Sequence, residues 1–136
     1  MEDNPRLDAW RVIGPGGGGS MYAPTLSPHD PNVVLVHCDM TGAYISHNGG
    51  GSWRMINLAT GVHGFVFDPT DPDVIYGYNV ALWRSEDRGA TWRLVWPDPA
   101  KGVVEHRRGD HANYGLTSDD ASYPSLDCHI IRVGVD

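Results

Sequence analysis

The segment His37-Cys38-Asp39-Met40-Thr41-Gly42 places an imidazole, a thiol and a carboxylate within three consecutive residues. Asp110-His111 is a second such neighbourhood. Both suggest metal ligation, but an extended chain sends adjacent side chains to opposite faces, and no Cys/His spacing of a zinc site occurs. No metal and no cofactor is expected. From its immediate neighbours Asp39 reads as a carboxylate capping a turn that closes at Gly42. Trp96, Tyr114 and Tyr123 offer aromatic faces on which a sugar ring can stack, against the ordinary alternative of core or loop packing. Arg108-Gly109-Asp110 spells an integrin-binding triad, a three-residue string that recurs by chance. Cys38 and Cys128 form no Cys-x-x-Cys pair, and two cysteines make no disulfide framework, so both read as buried free thiols.

The whole-chain totals restrict which elements can position these groups. The 136 residues suffice for one ordinary domain, and 17 glycines with 10 prolines favour a turn-rich all-β design. A net charge of −7 argues against nucleic acid as a partner, because phosphate binders concentrate positive charge. No apolar run approaches the roughly 18 residues that a membrane-spanning helix needs. The start, MEDNPRLDAW, is acidic and lacks the apolar core of a secretory leader. The expectation is a cytoplasmic protein, or an exported one whose leader is missing from this sequence.

An internal repeat organises the rest. Ser46-His-Asn-Gly-Gly-Gly-Ser-Trp-Arg54 aligns with Ser85-Glu-Asp-Arg-Gly-Ala-Thr-Trp-Arg93, so that Trp53 and Trp92 are 39 residues apart. Upstream, Ser27–Val36 aligns with Asp68–Gly77. Short runs rich in Val, Ile, Tyr and Trp, bounded by Gly, Pro, Asp and Asn, read as four strands per repeat, A to D. The first repeat has A at Met21–Leu26, B at Val33–Cys38, C at Ala43–His47 and D at Ser52–Asn57. The second has A at His63–Phe67, B at Val74–Asn79, C at Leu82–Ser85 and D at Thr91–Trp96. The prolines of the A–B turns cannot donate to a ladder and must lie outside the strands. Trp10–Ile13 repeats the D pattern and Ile130–Asp136 resembles an A strand.

This period fits one four-stranded propeller blade per repeat. The predicted organisation over 1–136 is a partial β-propeller: a D strand at 8–13, one blade at 20–57, a second at 62–96, a long D–A loop at 97–127 and an A strand at 129–136. Propellers close with about 4–8 blades, so two blades imply a longer protein or assembly of several copies; the longer protein is favoured.

Strand parity then sorts the loops. In an antiparallel meander the A–B and C–D turns lie at one end, and the B–C and D–A connections at the other. Three unusual features share that second end: the run Gly14–Gly19, the segment Asp39–Gly42 and the long stretch Pro97–Asp127. That end is the expected site.

The aligned box, Ser46, Asn48, Gly50, Ser52 and Trp53 against Ser85, Asp87, Gly89, Thr91 and Trp92, resembles the Asp-box, or BNR repeat, of sialidases, xyloglucanases and sortilin-type receptors. Its Asp or Asn caps backbone N–H groups of a hairpin, its Gly supplies a positive φ, and its Trp buries apolar area; these roles are structural. Residues 8–96 more closely resemble the opening blade of glycoside hydrolase family 74, inverting propellers that cleave xyloglucan. The shared pattern is Trp10–Ile13, the glycine run, Ser27-Pro28 and Val36–Tyr44. The resemblance implies a polysaccharide substrate and makes Asp39 the candidate general base. His37, Cys38, Thr41 and Ile45 depart from the family pattern. The general acid of that family lies in a blade far downstream, and nothing singles out Glu105, Asp110, Asp119 or Asp120 for the role. A sialidase would need an early Arg-Ile-Pro motif, which is missing; a non-enzymatic protein- or glycan-binding propeller is the remaining alternative.

Overall fold

Val33–Cys38 and Val74–Tyr78 are β-branched, aromatic and short, and each is delimited by turn residues that consume the backbone donors a helix would need. In the first A–B turn Ser27 Oγ accepts the N–H groups of His29 and Asp30 at 3.2 and 3.3 Å. At the matching place Asp68 Oδ1 accepts those of Thr70 and Asp71 at 2.9 and 3.0 Å. A second side-chain turn follows in each repeat, Asp30 to the Asn32 N–H and Asp71 to the Asp73 N–H. Different side chains thus build one turn twice.

The computed structural model describes residues 12–16, 19–40, 42–58, 61–106, 114–118 and 133–135, and for 102–106 and 114–118 it describes the backbone. The first four-stranded sheet is β1 (Met21–Leu26), β2 (Val34–Cys38), β3 (Ala43–Ser46) and β4 (Arg54–Ile56), antiparallel and in chain order. The second is β5 (Gly64–Phe67), β6 (Ile75–Tyr78), β7 (Leu82–Ser85) and β8 (Arg93–Trp96), in the same order. No helix occurs among the described residues.

Several strands are shorter than expected. β4 and β8 begin at Arg54 and Arg93 because Ser52 and Thr91 are held by the preceding loops. The stretch 97–127, expected as a loop, carries a hairpin of β9 (Gly102–His106) and β10 (Tyr114–Ser118) in its described part. Of the expected strand at 8–13 only 12 and 13 are described, and of that at 129–136 only 133–135; none of these lies in a strand.

The two sheets pack face to face. Leu35, Ala43, Ile45 and Ile56 of the first meet Phe65, Phe67 and Ile75 of the second, with Trp83 and Trp92 against this cluster. Leu35 and Ile75 are fully buried, and removing such a side chain costs about 2–5 kcal/mol. Turn contacts join the same ends. His29 Nε2 lies 2.8 Å from the Asp68 carbonyl, Arg88 pairs with Asp30 at 3.2 Å, and Arg54 donates to the Gly89 carbonyl. Both partners of the Arg88–Asp30 pair are substantially exposed, so it sets register more than stability. The B–C and D–A ends are thereby brought together on the other side. Cys38 is buried and, among the described residues, free; Cys128 lies outside them.

Candidate functional site

The two C–D loops have one geometry. Ser46 and Ser85 are buried, and each Oγ accepts the N–H four residues on, Gly50 or Gly89, at 2.8 Å. Asn48 Oδ1 accepts the Ser52 N–H at 2.8 Å, and Asp87 Oδ1 accepts the Thr91 N–H at the same distance. The Thr91 hydroxyl, at 2.5 Å, and its N–H, with further bonds from the loop, hold the Asp87 carboxyl down to about 2. Gly89 has φ +83°, and a Cβ there would lie 2.8 Å from Ile45 Cδ1, so the loop also seats one sheet against the other. The tryptophans diverge: Trp92 Nε1 donates to Gly89 within its own loop, whereas Trp53 Nε1 donates to Ile13. All ten residues are engaged in or beside these turns.

The opposite end is built differently in the two sheets. After β6, Asn79 is buried, accepts the Ala81 N–H at 2.7 Å and donates to the Gly61 carbonyl at 2.8 Å, so it caps the bend and ties in the preceding connection. The matching residue in the first sheet is Cys38, the last of β2, whose thiol cannot do this. Asp39, one residue further, is exposed and turns to the glycine run: Oδ1 accepts the Ser20 N–H at 2.9 Å, and its own N–H donates to the Ser20 carbonyl at 3.1 Å. Gly19 permits this closeness, since a Cβ there would lie 2.5 Å from Asp39 Oδ1 and 2.9 Å from Cys38 Sγ. Among the described residues the Asp39 side chain therefore holds Ser20, at the end of the glycine run, where the sequence suggested a cap on the bend at Gly42.

Beside this bridge, Tyr22 pairs with His37 in the ladder and stacks on it, with ring centroids 5.6 Å apart and planes at 26°. Burial holds the His37 imidazole below the ordinary histidine range; a hydrogen bond with the Cys38 backbone opposes this and nearby His63 adds to it. β1 is bulged between Tyr22 and Thr25, so that Ala23 and Pro24 together face Val36. Ala23 has φ +45°, a conformation costing a non-glycine residue about 1–3 kcal/mol. Ser20, Tyr22 and His63 were not singled out from sequence, and His37 only as a candidate metal ligand; Pro24, unable to donate inside a strand, was the available signal.

The expected aromatic residues do not assemble with Asp39. Trp96 ends β8, paired with Leu82 at the same end of the second sheet but at its far edge. Tyr114 opens β10, where the backbone alone is described, and Tyr123 lies outside the described residues. Of the insertion carboxylates, Glu105 is described by its backbone and Asp110, Asp119 and Asp120 lie outside. Among the described residues no group of three or more His, Cys, Asp or Glu side chains could hold a metal ion, and no helix is long and apolar enough to cross a membrane. A cleft of about 310 Å³, lined by Arg54–Leu58, Trp83 and Ala90–Trp92, opens between β4 and the second sheet, and Asp39 is not among its walls.

Among the described residues these features define two stacked four-stranded meanders without helix, with the exposed Asp39 carboxylate at the B–C end of the first. The chain is similar to the crystal structure of an ancestral GH74 enzyme, with a TM-score of 0.50 and 16% sequence identity over 82% of this chain. It spans 20% of the length of that enzyme, and the likeness is one of fold. No protein-family model and no curated protein matches the chain.

Proposed function

We propose that the chain is a two-blade segment of an Asp-box β-propeller that acts on or binds a polysaccharide, with Asp39 as general base if the whole protein hydrolyses its substrate. The two stacked meanders supply the blades, and the likeness in fold to a GH74 enzyme supports a propeller of that type. The observation that carries the reading is the exposed Asp39, held through Oδ1 alone among the described residues at the end where bends and the glycine run converge. An inverting hydrolase needs such a carboxylate to activate water and a second acid roughly 6.5–9.5 Å away. That second acid would come from outside the described residues.

In the full-length protein, Asp39→Asn keeps the acceptor oxygen for Ser20 and removes the base. Release of reducing sugar from soluble xyloglucan should fall at least 100-fold, with the melting temperature unchanged. Full activity in this variant would end the catalytic assignment. A second reading, a glycan-binding propeller without catalysis, is favoured by the structural task Asp39 performs for the glycine run. Its mark is saturable oligosaccharide binding by a full-length protein that releases no sugar.

A further inference from the structure

The bulge in β1 determines which side chain of that strand faces the second sheet's side of the ladder. Thr25 pairs with Leu35, so a regular strand would bring Ala23 opposite His37 and leave Tyr22 opposite Cys38, on the other face. The extra residue shifts the register, and Tyr22 lands on His37 instead. The device uses an alanine at φ +45° and a proline that gives up a ladder donor on an edge strand. Such bulges recur beside binding and catalytic sites, where they re-aim a side chain.

What the bulge presents is an aromatic ring backed by the His37 imidazole and still 48% exposed. One pair along the ladder, Met21 faces Cys38; next to it Ser20 bridges to Asp39. The ring and the carboxylate therefore lie two ladder positions apart, at one end of the sheet. From this geometry we infer that Tyr22 is the platform on which one pyranose ring of an uncharged glycan stacks, adjacent to Asp39. An aromatic face takes up the C–H face of a sugar, and the carboxylate accepts from its hydroxyls. The net charge of −7 disfavours an anionic glycan. This inference rests on the polysaccharide reading and names a subsite within it.

The test is a titration of the ¹⁵N-labelled full-length protein with cellotetraose, followed by amide shifts. The parent should show saturable shifts at residues 20–22 and 37–39. Tyr22→Leu, which keeps apolar bulk and loses the ring, should weaken binding at least tenfold, and Tyr22→Phe should stay within about threefold of the parent. Thermal melts of both variants verify the fold, and if Tyr22→Leu does not fold, the location of the parent's shifts decides. Parent-like binding by Tyr22→Leu, or shifts centred elsewhere, for example at Trp96, would overturn the platform while leaving the polysaccharide reading intact. A parent that binds no oligosaccharide would overturn both.

Discussion

Asn48 and Asp87 occupy equivalent places in two loops of the same geometry, which isolates what a charge adds there. Both oxygens accept the N–H of the Ser or Thr four residues on, but only Asp87 also accepts the Thr91 hydroxyl with an ionised group, and its carboxyl is held from 3.8 down to about 2. A group whose native value is depressed stabilises the fold fully above its unfolded value and loses that contribution as pH falls through the native one. Asp87 therefore contributes above about pH 4 and ceases to below about pH 2. Asp87→Asn, which reproduces the first loop, should flatten the acid limb of the stability curve in that window, as read from urea midpoints. A residual slope remains from Asp30 and Asp68, whose carboxyls backbone N–H groups hold low. An unchanged slope would show that the carboxylate bonds do not survive in solution.

At the scale of elements, the repeat made most strands legible. Apolar alternation and turn residues place β1 and β7 at Met21–Leu26 and Leu82–Ser85, as expected, and the other six strands of the two repeats within two residues at either end. What failed to show was whatever depended on a partner distant in sequence. The bulge in β1 exists only relative to β2, and the Ser20–Asp39 bridge needs two strand ends side by side. Residue type pointed to Asp39 and to His37, but neither Tyr22 nor its stacking on His37 announces itself without the register. The hairpin in 97–127 was missed because Gly102–His106 and Tyr114–Ser118 lack a counterpart in either repeat. Gly89 belongs to this scale too, since its missing side chain lets a loop of one sheet lie on Ile45 of the other. Gly89→Ala meets both a positive φ and a 2.8 Å contact, and should cost about 1–3 kcal/mol in chemical denaturation. A cost under half that would mean the loop shifts freely.

Across the molecule, burial is uneven, and local opening should follow it. β2, β3 and β6 are interior strands whose side chains supply most of the fully buried core, including Leu35, Ile45 and Ile75. β1 lies at an edge, is interrupted by its bulge and carries Tyr22 and Leu26 at 48% and 59% exposure. Native-state hydrogen exchange should therefore be slowest at the amides of Leu35, Ile45 and Ile75, and faster by at least tenfold at those of Tyr22, Ala23 and Thr25. Equal protection throughout would mean that β1 is covered by parts of the protein outside the described residues.

The contact between the two sheets also has a direction. His29 of the first reaches the strand end of the second, Arg88 of the second returns to the turn of the first, and the surfaces used on the two units differ. Such a junction is heterologous: each unit offers a front to one neighbour and a back to another, and nothing in the junction itself tells it to stop. Whether a chain of such units comes full circle or climbs as a spiral is set by the small rotation between one unit and the next, which makes that angle the quantity on which a closed assembly depends.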